Sequence, residues 1–419
     1  MTLEILAYLL AFMLWLLAAV HGLWAFWGGV RFRRYVVSAI RNAPTLLSDE
    51  GKFRYQPRAA VILPCRGIDD RLQATAEAVG RQRYGDYEVI FVFESEADPA
   101  YSAVGEWIKG WTRTPVRRVV AGLAQGRSQK VHNLLHAVEQ AASDREVFVF
   151  LDSDAVPGED WLGYLVAPLQ DAGVAAATGY RWYTATGGLA SGVRCGWNAA
   201  TVTLLDDERV NFSWGGATAI LRRAFDGLDI RGRWAGSLTD DYPITLAARQ
   251  AGLRIRFVPQ ALVPSADGTT LREFWTFARR QLIITKVYVP EIWRAGFAYC
   301  LNSVVGGTVA AAAFFVSALG WAGSRATMYA ALVGWLAILG LAAGKAFWRQ
   351  LAVRKLLRPP DWTWRDFCWD VLGVNPSGML HLGLLLASAR SRRFVWRGTR
   401  YELLSPTETR ILEQASSQA

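Results

Sequence analysis

Several signatures that would settle the chemistry of a 419-residue chain at a glance are missing here. There is no GxxxxGK[ST] phosphate loop and no GxGxxG after a strand-like run, which argues against an NTPase and a dinucleotide oxidoreductase. Serine and cysteine nucleophile motifs are lacking too. Of only four histidines, His132 and His136 have the spacing of a zinc-protease helix. Asn133, however, stands where HExxH needs its glutamate, so the general base is absent. The four cysteines (Cys65, Cys195, Cys300, Cys368) show no CxxC spacing and read as unpaired thiols facing a reducing compartment. No internal repeat or low-complexity tract occurs between residues 56 and 267.

What the chain does have is apolar bulk: 52% of residues are hydrophobic and 19 are tryptophan. That is too apolar for one ordinary soluble domain of this length, so part of the chain is expected in lipid. The net charge of +10 is clustered at Arg31, Arg33 and Arg34, at Arg279, Arg280 and Lys286, over 345–358 and over 390–400. Every cluster borders an apolar stretch, which reads as anchoring to acidic lipid rather than as a nucleic-acid face. No nucleic-acid partner is expected.

Residues 3–30 are long enough to cross a bilayer, which takes about 20 residues. Nothing positive precedes the run, no small-residue cleavage site follows it, and arginines come after it, so it reads as an anchor and not a signal peptide. The positive-inside rule then places the N-terminus outside and the bulk of the chain in the cytoplasm. Two further spans are expected over 297–323 and 328–348. The last apolar stretch, 367–389, is interrupted by "NPSG", and the arginines beyond it favour a re-entrant or interfacial hairpin over a third crossing. The residues from Ser405 onward are polar and expected to be mobile.

Between these membrane segments, "AAVILP", "YEVIFVFE", "VRRVVA" and "EVFVFLD" have the pattern of strands buried on both faces. Helical periods separate them. In "SQKVHNLLHAVEQA", Val131, Leu134, Leu135 and Val138 share one face, with Ser128 as cap. Alternating strands and helices imply a mostly parallel sheet with ligands at the carboxyl ends of its strands. Asp152 and Asp154 of "LDSDA" sit at one such end. Two carboxylates one residue apart can share a hard divalent cation that bridges a diphosphate. Taken alone, they could equally start a turn.

Other polar groups gather in the same stretch: Glu94 closing the second strand, Lys130 and Asn133 opening a helix, the glycine-bearing "WGGATAILRR", and Asp240 and Asp241 at a helix start in "TDDY". With "DPA" at Asp98, "KVHNL", "LDSDA" and the "GGATAILRR" loop, the stretch over roughly 59–288 resembles a family 2-type glycosyltransferase with a GT-A fold. It is most similar to the ceramide glucosyltransferase group of integral membrane enzymes. The resemblance implies that Glu94, an aspartate in most relatives, contacts the nucleotide base or ribose and that Lys130 belongs to the donor site. It implies that Asp152 contacts the nucleotide beside the metal, that Asp154 binds Mg2+ or Mn2+, and that Asp241 is the general base. A base set apart from the metal pair also makes chemical sense, because the acceptor hydroxyl is activated on one face and the phosphate neutralised on the other. Gly216, Ala217 and Asp240 are candidate acceptor or diphosphate contacts; an ordinary role for one of the two aspartates is an N-cap.

The group's (Q/R)xxRW motif is incomplete here. The region reads "FWTFARRQLIITKVY"; aligned on Arg280 the tryptophan is replaced by Gln281, and aligned on Arg279 by Arg280. Arg279, Arg280 and Gln281 are therefore retained as donor-site candidates. Trp396 and Arg397 in "FVWRGTRY" are a further pair that could fold back to the site; interfacial anchoring explains them equally well.

The expected organisation is a transmembrane helix over 1–30, a juxtamembrane linker over 31–56 and a GT-A catalytic domain over 57–270. There follow an interfacial amphipathic region over 271–294, two transmembrane helices over 295–348, a basic segment over 349–365, a re-entrant or third C-terminal segment over 366–390 and a cytoplasmic tail over 391–419. The expected protein is an inner- or plasma-membrane inverting glycosyltransferase. It moves a sugar from a nucleotide-sugar donor, a UDP-sugar by resemblance, to a membrane lipid such as ceramide at the cytoplasmic face. Two alternatives stay open: a processive polysaccharide synthase, for which three spans and a hairpin are few, and a catalytically silent nucleotide-sugar-binding membrane protein.

Overall fold

The structure is a computed structural model. The structure describes residues 2–266, 268–320 and 324–414, so the end of the expected span over 297–323 lies outside the described residues. In chain order the helices are α1 (Thr2–Asn42), α2 (Leu72–Gly80), α3 (Pro99–Trp107), α4 (Gln129–Gln140), α5 (Trp161–Val166), α6 (Gly188–Val202) and α7 (Arg222–Gly227). They continue as α8 (Ile230–Trp234), α9 (Asp241–Gln250), α10 (Leu271–Tyr288), α11 (Pro290–Ala318), α12 (Arg325–Val353), α13 (Trp364–Leu372) and α14 (Val374–Ala389). The strands are β1 (Ala59–Pro64), β2 (Tyr87–Phe93), β3 (Val116–Val120), β4 (Val147–Leu151) and β5 (Val174–Tyr183). After them come β6 (Ala217–Leu221), β7 (Arg254–Ser265), β8 (Arg393–Trp396), β9 (Thr399–Ser405) and β10 (Glu408–Glu413). The chain forms two compact units, one of 36–182, 204–265 and 392–419, the other of 1–35, 183–203 and 266–391.

The first unit is built on a sheet of order β3-β2-β1-β4-β6-β5-β7. The four strands from β3 to β4 run parallel, and β6 enters antiparallel beside β4. Period-two alternation divides each central strand between two cores. Val61, Leu63, Val89, Phe91 and Val149 pack on one face with α2 and α5 residues, while Ile62, Ile90, Val92, Phe148 and Phe150 pack on the other with α4 residues. On that second face Phe150, Phe225 and Trp234 form edge-to-face pairs with centroids 5.2–5.3 Å apart. Both faces are covered, which accounts for the continuous apolar runs.

The sequence reading needs three corrections here. The run "VRRVV" is not buried on both faces: β3 is the edge strand, and Arg117 and Arg118 are exposed along it. The "GGATAILRR" segment is not a loop. After the turn at Trp214–Gly216, Ala217–Leu221 form a fully buried central strand. Third, the polar stretch from Ser405 is not loose as far as Glu413, the residues 415–419 lying outside the described residues. β8, β9 and β10 form an antiparallel sheet in which Arg393↔Glu402 and Ile411↔Tyr401 are paired, with Phe394, Tyr401 and Leu403 buried.

In the second unit, α11 and α12 and the residues of α1 that belong to it pack together with α6, α10, α13 and α14. Among the described residues, three helices are long and apolar enough to cross a membrane: Ala11–Leu46, Pro290–Ala318 and Arg325–Val353. Helix α1 runs on to Asn42 without a break at Arg31–Arg34, where a linker is expected from residue 31. The interruption in the last apolar stretch falls at Gly373, one residue before α14 starts, so Pro376 of "NPSG" lies in a first helical turn, where its missing N–H removes no hydrogen bond. The side chains at 374–377 lie outside the described residues. Lys286 donates to the carbonyls of Ser388, Ala389 and Ser391, capping the C-terminal end of α14 with a cation. At the end of α12, Arg349 forms a buried fork pair with Asp370, whose carboxylate also accepts from Gln350.

Candidate active site

The site lies in the first unit, where β4 ends. Asp152 N–H donates to the Gly216 carbonyl at 3.2 Å, which ties the strand end to the turn before β6. That turn needs glycine because carboxylates occupy the space a side chain would take. A Cβ on Gly216 would lie 2.5 Å from Asp152 Oδ2, and one on Gly215 would strike the Asp240 carboxylate. Lys130, near the start of α4, reaches this junction. Its Nζ is 2.8 Å from Asp152 Oδ1 and 3.0 Å from Asp240 Oδ1, and it donates to the Gly215 carbonyl at 3.2 Å. Burial alone would lower its pKa, but the two carboxylates hold it well above the usual lysine range. The cap that positions α4 is Ser128, whose hydroxyl accepts from Val131 N–H.

Arg181, near the end of β5, grips the other aspartate of the pair. Both terminal nitrogens donate to Asp154, Nη1 to Oδ2 at 2.8 Å, and Nη2 lies 3.5 Å from Asp152 Oδ2. The guanidinium also sits over the Trp214 ring. Burial would raise the pKa of Asp154; the charge and hydrogen bonds of Arg181 win and hold it well below the usual carboxylate range.

Asp240 and Asp241 divide their roles. Asp240 is buried, makes no side-chain cap to α9, and has a raised pKa because burial and Asp152 outweigh the pull of Lys130. Asp241 keeps partial contact with solvent. Burial and then the neighbouring charge of Asp240 nonetheless push it up to about 6. Its Oδ1 accepts from Thr239 Oγ1 at 2.5 Å and from Tyr242 N–H at 2.7 Å, which leaves Oδ2 to receive a proton.

Glu94, at the carboxyl end of β2, is 3% exposed, and neither of its carboxylate oxygens has a hydrogen-bond partner. Arg66 Nε lies 3.7 Å away, and burial raises the glutamate's pKa despite it. A buried carboxylate left so poorly satisfied is suited to a donor group from outside the protein. Beside it, Asp98 caps α3 at Ala100 N–H and accepts from Gly67 N–H at 3.0 Å, shaping the loop after β1. That loop presents Asp69, which accepts from Ser153 at 3.4 Å and lies 3.8 Å from Arg397.

Among the described residues, no three His, Cys, Asp or Glu side chains form a metal-holding group. Asp152 and Asp154 nevertheless offer hard oxygens on a partly open turn, with side chains 28% and 29% exposed. This donor set fits a divalent cation whose coordination a diphosphate completes.

The sequence profile of glycosyl transferase family 21 matches residues 10–409, nearly the whole chain. The chain belongs to glycosyl transferase family 21. Among solved structures, a mannosyltransferase from Pyrobaculum calidifontis in complex with GDP-Man and Mn2+ resembles it with a TM-score of 0.52. The two are 18% identical, over 90% of this chain and 97% of that one. Glucosyl-3-phosphoglycerate synthase from Mycobacterium tuberculosis, in complex with phosphoglyceric acid, follows at a TM-score of 0.36 and 13% identity, over 55% and 79% of the two chains. At such identity the mannosyltransferase shows the fold alone, a GT-A architecture. Family and fold together make the protein a glycosyltransferase.

Within the family 21 enzyme, Lys130, Asp152, Asp154, Gly216, Ala217, Asp240 and Asp241 come together at the β4–β6 junction, and Glu94 lies at the end of β2 in the same unit. Arg397 joins them through Asp69. It occupies the tip of the β8–β9 hairpin with φ +45°, next to Gly398 at φ +77°, and donates to the Arg66 carbonyl at 2.8 Å. A left-handed arginine is a strained choice for a hairpin turn. Trp396 pairs with Thr399 at the base of that turn and stacks in a tilted contact with Tyr401. Arg279, Arg280 and Gln281 belong to α10 in the other unit. There Arg279 donates to the Ala387 carbonyl near the end of α14, and Arg280 lies over the Phe277 ring. Sequence reasoning overlooked Arg66, Asp69, Arg181 and Trp214. The one available signal for Arg181 was a lone charge within the otherwise uncharged "VAAATGYRWY".

Proposed function

We propose that this family 21 enzyme is a membrane-anchored inverting glycosyltransferase that moves a sugar from a nucleotide sugar, a UDP-sugar, to the hydroxyl of a membrane lipid such as ceramide. The observation that carries the reading is the separation of roles among the carboxylates. Asp152 and Asp154 lie on the Lys130 and Arg181 side, while Asp241 is held by Thr239 and Tyr242 with a pKa near 6. A base of that strength is deprotonated at pH 7 and takes a proton more readily than an ordinary aspartate. Oδ2 of Asp241 accepts the proton of the acceptor hydroxyl as that oxygen attacks the anomeric carbon from the face opposite the diphosphate. Glu94 receives a donor group from the nucleoside, and Lys130 orients Asp152 and Asp240. Mg2+ or Mn2+ at Asp152 and Asp154 would neutralise charge on the leaving diphosphate. By resemblance to the (Q/R)xxRW motif, one of Arg279 and Arg280 on α10 would contact the diphosphate.

Membrane anchoring rests on the three long apolar helices, and the cytoplasmic placement of the catalytic unit rests on the arginines that follow the first of them. We further propose that 366–390 stays on that side as a re-entrant or interfacial segment. A polymer-forming reading has less support, because among the described residues the helices that could cross are few for a secretion channel. Test: purified protein in detergent and lipid is given labelled UDP-glucose, UDP-galactose, UDP-N-acetylglucosamine, UDP-glucuronate and GDP-mannose with Mn2+ or Mg2+ and a lipid extract. Label entering the organic phase from one donor, absent with EDTA and with Asp241→Asn, is the expected result. Label in polymer overturns the lipid acceptor, and no transfer despite nucleotide binding overturns catalysis.

A further inference from the structure

Arg181 stands out as a buried cation facing the carboxylates that the reading above gives to the metal. Its side chain is 9% exposed, both Asp154 oxygens accept from it, and it lies within 3.5 Å of Asp152. A divalent cation needs those same lone pairs. To bind alone it would have to break the fork of a guanidinium that is enclosed by protein and add two more charges beside Lys130, whose Nζ is already 2.8 Å from Asp152. Breaking a buried ion pair is among the costlier events in a protein interior. A diphosphate changes the balance, because two of its oxygens can accept the planar N–H fork of an arginine.

We propose that Arg181 is a positioning residue that keeps the Asp152–Asp154 pair closed to divalent cations until a nucleoside diphosphate offers it a replacement partner. The proposal rests on the metal reading of that pair and adds an order of events: the enzyme without nucleotide takes up metal poorly, and nucleotide opens the site. Coupling of this kind is reciprocal, so metal strengthens nucleotide binding by the same factor. Nucleoside diphosphates chelate metal in any case; the distinguishing feature is what happens to metal binding in their absence when Arg181 is removed.

The experiment is Mn2+ binding to the full-length protein in detergent, read by the free-ion electron paramagnetic resonance signal, with and without UDP. Wild type, Arg181→Met and Arg181→Lys are compared. Loss of the guanidinium is expected to tighten Mn2+ binding without UDP by about tenfold or more, a gain equivalent to at least ~1.4 kcal/mol. The nucleotide-dependent enhancement should shrink to match. Lysine cannot fork across both Asp154 oxygens and is expected to fall between the two. A merely structural arginine would weaken metal binding or leave it alone when removed, and either result overturns the proposal while leaving the metal reading intact. Arg181→Lys keeps a charge in the cavity and so covers the case in which Arg181→Met fails to fold. If no variant binds Mn2+ even with UDP, the metal reading and this inference fall together.

Discussion

Lys130 is the residue whose removal tests the electrostatic construction of the site most directly. Its Nζ lies 2.8 Å from Asp152 and 3.0 Å from Asp240, with 15% of the lysine side chain and 4% of the Asp240 side chain exposed. At an effective dielectric constant of about 20, each pair is worth roughly 5–6 kcal/mol before desolvation. Removing one partner of a buried pair typically costs ~3–5 kcal/mol, because the remaining charge is stranded. Lys130→Met leaves two carboxylates facing each other at the β4–β6 junction. A loss of about 3 kcal/mol corresponds to a melting temperature lower by roughly 6–12 °C for a unit of this size. The pH dependence has a definite sign. Burial and Asp152 already raise the pKa of Asp240, and removing Lys130 raises it further. The folded variant then binds a proton that the unfolded chain, with its ordinary aspartate, releases, so stability rises as pH falls through the folded pKa. Near-ultraviolet circular dichroism melts at pH 7.5 and 5.5 read both effects. Lys130→Met with Asp240→Asn should recover most of the loss at pH 7.5. A Lys130→Met melting temperature within about 2 °C of wild type, or no recovery in the double variant, would refute the argument.

Asp241→Asn should lower kcat by roughly 10²–10⁴ while leaving UDP affinity within a factor of about two, as befits a lost general base. In the wild type, kcat/KM should fall on the acid side of about pH 6, where Asp241 takes up its proton, and flatten above it. Gly216→Ala puts a Cβ 2.5 Å from Asp152 Oδ2 and should weaken UDP binding at least about tenfold by calorimetry. Asp98→Ala removes the α3 cap and the Gly67 contact together and should cost ~1–2 kcal/mol in stability, with a raised KM for donor as the β1 loop loosens. Trp396→Ala with Arg397→Ala should reduce donor affinity or turnover. Unchanged kinetics in that variant would confine the hairpin to packing.

Much of this architecture is written in local pattern. Strands β1, β2 and β4 show as apolar runs because both faces of each are covered, and α4 shows as a 3.6-residue stripe behind a serine cap that the structure confirms. The aspartates of "LDSDA" and "TDDY" were legible for the same reason: each directly follows or opens a regular element. Strands β5 to β7 were not marked. Their pairing partners are distant in the chain, so a run such as "ATAIL" carries no short-range sign that it will insert antiparallel beside β4. The C-terminal sheet was missed because alternation over four to seven residues in a polar segment reads as loop until a partner strand buries Phe394, Tyr401 and Leu403.

The sequence by itself determined the strand–helix alternation, the long apolar helices and the acidic pairs, since each depends on residues within a turn or two of one another. Only the tertiary structure decided which charges meet. Lys130 reaches across to Asp152 and Asp240, Arg181 arrives from β5 onto Asp154, and Arg397 approaches Asp69 from more than three hundred residues away. Such pairings are set by which strands lie side by side and by the close approach that Gly215 and Gly216 permit, and neither quantity has a period that a sequence can display.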